Sequence, residues 1–223
     1  MGKRSQITAS LHYEQEYLAK GCQHIFGLDE AGRGAWAGPV VVGAVCLPVA
    51  DPQLRQLLVG VRDSKQTTPR QRESLAQKIK DVAITWGIGS ASNQEVDAAH
   101  INAATELAMQ RALADALGKV EFSAPDALLL DSVKWPEMNH IPQKNLNHGD
   151  TLSLSIAAAS ILAKTARDAM MRDLDRQYPD YGFAQHKGYG TAKHRAALHR
   201  LRASAIHRRY YRPVQQELPL DGE

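Results

Sequence analysis

Apolar residues along this chain gather into short runs, most of them closed by a turn or by a carboxylate. His24 to Ala31 is an apolar run that ends in two acids, Asp29 and Glu30. Val40 to Leu47 is β-branched and continuous enough for a buried strand. Only a glycine-rich turn separates the two, which predicts a hairpin rather than a parallel crossover. Residues 10 to 20 read as a short helix, and residues 48 to 68 as a polar loop. Thr68 and Pro69 then take the N-cap and first-turn positions of a helix whose Leu75, Ile79 and Val82 share one face.

Val82 to Ala91 alternates as a strand does, and Ser92-Asn93-Gln94-Glu95 forms a capping box. The helix it opens is expected to break near Asn102 and to stop at Gly118. Asp126 to Asp131 is a further apolar strand closed by an acid. Leu152 to Arg176 is a long helix whose small residues, Ile156-Ala157-Ala158-Ala159, allow close approach to a sheet. A last amphipathic helix puts His194, Leu198, Leu201 and Ala205 on one face. Strands first paired and then alternating with helices predict an α/β or mixed-sheet single domain with a helical C-terminal end.

Composition narrows the class. With 43% hydrophobic and 23% charged residues among 223, a disordered tail, a collagen-like repeat and a disulfide mini-protein are all excluded. Cys22 and Cys46 have no CxxC or CxxH partner and read as reduced packing residues. No apolar run reaches the roughly 20 residues of a membrane span, and the N-terminus lacks a signal-peptide core, so a cytoplasmic, membrane-free protein is expected. The net charge of +3 hides an uneven distribution. Eight Lys or Arg and no acid lie between His186 and Arg212, leaving 19 basic against 24 acidic residues elsewhere. An acidic body with a basic end suits either a polyanion-facing surface or a solvated helix.

The chemistry concentrates in carboxylates at the ends of apolar runs: Asp29 with Glu30, Asp131, and Asp150 ahead of the long helix. Any one of these alone is an ordinary strand-end or helix-cap residue, Asp150 especially. Four from separate elements are an oxygen-only donor set without neighbouring Cys or His, which selects Mg²⁺ or Mn²⁺ over zinc. Such a set could hold two ions about 3.5–4 Å apart for in-line phosphodiester cleavage. Gly32-Arg33-Gly34 follows the first acidic pair, where glycine lets the main chain approach a ligand and arginine meets a phosphate.

These residues match a family. The run Gly27-Leu28-Asp29-Glu30-Ala31-Gly32-Arg33-Gly34 resembles the signature of ribonuclease HII. Asp63-Ser64-Lys65, the region from Glu95 to Leu113, Leu130-Asp131, Gly149-Asp150, Ile156 to Asp168 and Tyr181 to Thr191 resemble further blocks of that family, in order. The resemblance implies a ribonuclease H-like fold: a mixed five-stranded sheet flanked by helices, with a helical C-terminal segment. It implies cleavage of RNA in RNA–DNA hybrids and nicking 5′ of single ribonucleotides in duplex DNA, leaving a 3′-hydroxyl and a 5′-phosphate. Asp29, Glu30, Asp131 and Asp150 match the catalytic, metal-holding positions. Gly32, Arg33 and Gly34 match those that track the 2′-hydroxyl, the group that tells RNA from DNA. Tyr189 falls at the junction-sensing tyrosine, and Ser64, Lys65, Lys164, Arg167 and Lys187 are expected substrate contacts.

The chain departs from the family at Ala35-Trp36, where Pro-Leu is usual, at Ser132 for glycine or alanine, and at His148 for lysine. Trp36 is expected to pack, and His148 places an imidazole where the family has an ammonium, next to Asp150. With 23 residues ahead of the first strand, ribonuclease HII fits better than its sister ribonuclease HIII, which carries an N-terminal platform. The competing class is an inactive nucleic-acid binder of the same fold, against which retention of all four acids counts. Expected boundaries are an N-terminal extension over 1–22, a catalytic domain over 23–212 and a flexible tail over 213–223, in a monomer. In that tail Gln215, Leu218 and Leu220 have the spacing of peptides that dock on a sliding clamp; a frayed terminus with two incidental leucines is the other reading.

Overall fold

The computed structural model describes residues 8–62, 64 and 67–217. The chain enters through α1 (His12–Leu18) and then forms the hairpin β1 (Ile25–Ala31) and β2 (Val40–Cys46). After β2 come a single helical turn, α2 (Leu54–Leu57), the longer α3 (Pro69–Val82), and β3 (Thr85–Ala91), antiparallel to β2. The expected caps form: Thr68 and Gln71 close one capping box, Ser92 and Glu95 the other. The second box opens α4 (Asn93–Leu117), which kinks at His100, where φ is 61°, two residues before the expected break.

β4 (Ala127–Asp131) lies parallel to β1, and β5 (Gln143–Leu146) parallel to β4, giving the sheet order β3-β2-β1-β4-β5. A single turn, α5 (Gly149–Leu152), precedes α6 (Leu154–Gln177), so the long helix expected from Leu152 is interrupted at Ser153, whose hydroxyl caps α6. The chain closes with α7 (Phe183–His186), α8 (Ala192–Leu201) and α9 (Arg212–Gln215). His194 and Leu198 are buried as expected, but α8 ends at Leu201 and Ala205 lies exposed beyond it.

Both faces of the sheet are covered, which is why β2 reads as continuously apolar rather than alternating. Phe26, Leu28, Val42 and Ala44 pack on Ala104, Ala108 and Ala112 of α4. Val45 packs with Ala157, Ala158 and Ile161 of α6 on the opposite face. Leu54, Leu58 and Val61 join this second layer, so the segment read as a polar loop contributes to the core. Glu14 of α1 is buried and accepts from Ser153 Oγ (2.6 Å) and Ser155 N (2.9 Å), fastening α1 to the start of α6. Cys46 is fully buried, and burial pushes its thiol up to about 12, consistent with a packing role.

α6 lies so close to the sheet that a Cβ on Gly43 would come within 2.4 Å of the Ala159 carbonyl oxygen. Gly43→Ala is therefore expected to destabilise the fold by about 1–3 kcal/mol, the usual range for overpacking. A chemical-denaturation midpoint unchanged from wild type would contradict this packing.

Candidate active site

Two adjacent parallel strands and the turn after a third bring the acids together. In the β1–β4 ladder Leu28 pairs with Leu130, so Asp29 and Asp131 follow side by side at the ends of neighbouring strands. β5 pairs Leu146 with Asp131, and the chain then reverses through His148 (φ 57°) into α5, which carries Asp150. The Gly149 N–H donates to Asp131 Oδ1 at 2.9 Å and the Ser132 hydroxyl to the same atom at 3.0 Å. Asp29, Asp131 and Asp150 thus present carboxylate oxygens within 4.8 Å of one another. Glu30, the next residue along β1, is not in this trio, although its charge acts on Asp29. Its carboxylate lies 3.8 Å from Arg33 Nε and still lines the same cleft.

Asp29 is 7% exposed. Burial first, then the Glu30 and Asp131 charges, hold its carboxyl well above the usual carboxylate range; the Ser160 hydroxyl and the Glu30 N–H act in the opposite direction. Three converging carboxylates with no other donor type fit a hard divalent cation, which offsets the mutual repulsion.

The cleft measures about 470 Å³ and is lined by Asp29, Glu30, Gly32, Arg33, Gly34, Ser64, Asp131, Lys164 and Tyr189, together with Ser160. Arg33 Nη2 donates to Asn102 Oδ1 (2.8 Å) just beyond the α4 kink. Lys164 Nζ and Arg72 Nη1 share Asp168, at 2.6 and 2.8 Å. Arg72 also donates to the carbonyls of Ser64 and Thr67, tying that loop to α6. Lys65 lies outside the described residues.

Two expected substrate contacts are otherwise employed. Arg167 is fully buried, and its guanidinium donates to the carbonyls of Pro39 (2.9 Å), Ala37 (3.2 Å) and Lys187 (2.9 Å). It is a main-chain clamp, not an exposed anion ligand. A Cβ on Gly32, where φ is +96°, would sit 2.0 Å from Arg167 Nε, so glycine there serves the turn and the clamp together. Lys187 is half-buried, with its ammonium donating to the Ala184 carbonyl at 2.6 Å. Sequence reasoning missed Ser160, Asn102 and Arg208. Ser160 had a signal, a polar residue inside an apolar helical run.

Arg208 is the second clamp: it donates to the carbonyls of Gly38 (3.0 Å) and Arg33 (2.8 Å) from the C-terminal side. Beneath the Tyr189 loop, Trp36 packs 5.5 Å from the ring of buried His194, as expected for packing. Burial lowers both His194 and His207 to about 4.

A mixed five-stranded sheet of this order with carboxylates at adjacent strand ends defines a ribonuclease H-like nuclease. The sequence profile of ribonuclease HII matches residues 26–214. Ribonuclease HII from Desulfitobacterium hafniense strain Y51 is 48% identical over 215 residues, which span 96% of this chain and 78% of that protein. The crystal structure of ribonuclease H2 from Pyrococcus horikoshii OT3 is similar at a TM-score of 0.71 and 25% identity, covering 86% of this chain and 95% of that one. A structure of the PCNA:RNase HII complex from Archaeoglobus fulgidus is similar at 0.67 and 26%, covering 82% and 91%. The chain belongs to the ribonuclease HII family and is a metal-dependent ribonuclease.

Two outcomes are expected from this electrostatics. Asp29→Asn, which removes a buried ionisable group whose charged form burial and the neighbouring acids disfavour, should raise the metal-free unfolding free energy at pH 7 by about 1–2 kcal/mol, the range of many site-relieving substitutions. Added Mn²⁺ should raise Tm in wild type more than in the variant. A variant less stable than wild type without metal would contradict the repulsion. The histidines have the opposite sign. Their folded pKa is depressed, so their stabilisation is complete above 6.5 and is lost as pH falls through about 4. A single shift of that size is on the order of 3 kcal/mol. Tm should therefore fall between pH 6.5 and 4, less steeply in His207→Gln.

Proposed function

We propose that the chain cleaves the RNA strand of RNA–DNA hybrids and nicks duplex DNA 5′ of single embedded ribonucleotides, leaving a 3′-hydroxyl and a 5′-phosphate. The convergence of Asp29, Asp131 and Asp150, the first two of which line the cleft, carries this reading. Asp29, Glu30, Asp131 and Asp150 would hold Mn²⁺ or Mg²⁺, as a pair of ions. Bound by these four acids, such ions would supply Lewis-acid activation of a water and charge neutralisation at the scissile phosphate.

The chain's own residues do the rest. Gly32, Arg33 and Gly34 bring main chain and one guanidinium to the rim, where the 2′-hydroxyl and an adjacent phosphate are read. Ser64 and Lys164 contact the backbone, with Asp168 holding the lysine in place. The Tyr189 ring packs against the deoxyribose that follows the ribonucleotide. The exposed cations Lys193, Arg195, Arg200, Arg209 and Arg212 attract the rest of the duplex.

A second docking site, on a sliding clamp, would engage Gln215, Leu218 and Leu220. The Archaeoglobus relative's structure is a complex with PCNA, which supports it; Leu218 and Leu220 lie outside the described residues.

Asp131→Asn is expected to lower cleavage of a duplex with one ribonucleotide by at least about 1,000-fold, ~4 kcal/mol in barrier, while substrate binding stays within a few-fold. Chelation of divalent ions should abolish cleavage in wild type. Near-normal turnover in the variant, or turnover without metal, would defeat the reading. Tyr189→Ala should impair cleavage at a lone ribonucleotide more than within a long hybrid, compared as kcat/KM on the two substrates.

A further inference from the structure

The loop that carries Tyr189 rests on three imidazoles that the proposed chemistry leaves without a task. His186, His194 and His207 are all buried, the last two almost completely. The rings of His186 and His194 stack at 4.3 Å, and His194 and His207 meet through their Nε2 atoms at 3.0 Å. Their neighbours determine where each hydrogen sits. The Ser204 N–H points at His207 Nδ1 (2.9 Å), so that nitrogen accepts and Nε2 bears the hydrogen. His207 Nε2–H then donates to His194 Nε2, which leaves the hydrogen of His194 on Nδ1. That group donates to the Tyr189 carbonyl at 3.1 Å. His186 follows the same logic, accepting from Gly188 N–H at Nδ1 (3.2 Å) and donating from Nε2 to the Tyr181 carbonyl (2.8 Å). Donation runs one way, from Ser204 through His207 and His194 to Tyr189.

Apolar side chains would fill this space at less cost in desolvation, since Phe183 and Trp36 already border it. What a satisfied polar chain adds is direction: it fixes one arrangement of the groups it joins. Its far end is anchored where the C-terminal segment meets the Gly-Arg-Gly loop. His207 bridges to Ala37, and Arg208 N–H donates to the Trp36 carbonyl at 2.8 Å. Its near end sets the Tyr189 carbonyl, and Tyr189 is bridged to Ala35 in the same loop. We propose that His207 and His194 are positioning residues that hold the Tyr189 ring in register over the cleft, and so set how sharply the enzyme separates a lone ribonucleotide from a continuous hybrid. The inference rests on the assignment of Tyr189 to the substrate sugar.

The test is the ratio of kcat/KM on a single-ribonucleotide duplex to that on a continuous RNA–DNA hybrid. It is measured for wild type, Tyr189→Ala, His207→Leu, His207→Gln and the Tyr189→Ala/His207→Leu double variant. His207→Leu is expected to lower the ratio by about tenfold. His207→Gln keeps a donor toward His194 and should stay within about threefold of wild type, a rescue that loss of packing alone would not give. The double variant should be no worse in ratio than Tyr189→Ala. Equal losses on both substrates in His207→Leu, or ratio losses that add in the double variant, would overturn the positioning role. An unchanged ratio in Tyr189→Ala removes the tyrosine's assignment itself, by a separate signal. Imidazole ¹⁵N spectra of the folded wild type at pH 7 test the chain without any variant: hydrogen on Nε2 of His207 and Nδ1 of His194 supports it, and the reverse pair overturns it.

Discussion

A buried guanidinium bonded to main-chain carbonyls organises this molecule. Arg167 leaves α6 in the space that Gly32 vacates and spends its donors on the carbonyls of Ala37, Pro39 and Lys187. One side chain thereby joins the β1–β2 connection to the loop before Tyr189. Burial lowers its pKa to about 10, still far above neutrality, so the charge persists and must be solvated by protein dipoles. Arg208 repeats the device from the C-terminal side, on Arg33 and Gly38. The Gly-Arg-Gly loop is therefore held from within by two cations, and its rim is left for a ligand. Lysine, a point charge with no planar fork, could not span these carbonyls in the same way.

The acids present the complementary constraint. Adjacent strand ends place Asp29 beside Asp131, and a left-handed residue, His148, turns Asp150 toward both. Burial and the neighbouring Glu30 and Asp131 charges hold Asp29 toward its protonated form. Crowding acids in this way costs stability by itself, and a divalent cation bound there would offset that cost. The clamps and the acids are parts of one design: rigid loops are needed because a metal site tolerates little displacement of its ligands.

Much of this was legible in the chain. Asp29, Glu30 and Asp131 were visible because they close apolar runs and Asp150 because it stands just ahead of a helix, and the helix starts because Thr68-Pro69 and Ser92 to Glu95 carry their own local hydrogen bonds. β5 was not legible from pattern: Gln143-Lys144-Asn145-Leu146 is an edge strand with one buried side chain, so neither alternation nor an apolar run marks it. α2 was missed because Leu54, Leu58 and Val61 are scattered among polar residues and find their partners only in the tertiary layer that α3 and α6 help to build. Arg167 was misassigned for a deeper reason. A basic residue in a nucleic-acid enzyme suggests a phosphate contact, and only tertiary structure shows carbonyls converging on it. The same holds for the trio of histidines, whose spacing carries no motif.

The basic C-terminal stretch shows how one composition signal divides in three dimensions. As sequence it is a single block of eight cations set against an acidic body. In the fold its residues sort by direction: Lys193, Arg195, Arg200, Arg209 and Arg212 face solvent, whereas Arg208, His194 and His207 turn inward to the cleft's loops. The outward set supplies an attraction that is long-ranged and indifferent to sequence. The inward set is short-ranged and directional, reaching Arg33 through Arg208 and Tyr189 through His194. A segment that only attracted duplex would need no buried imidazoles, and one that only braced the loops would need no exposed cations. With the proposed function, having both on one segment would couple capture of the duplex to the residues that examine it.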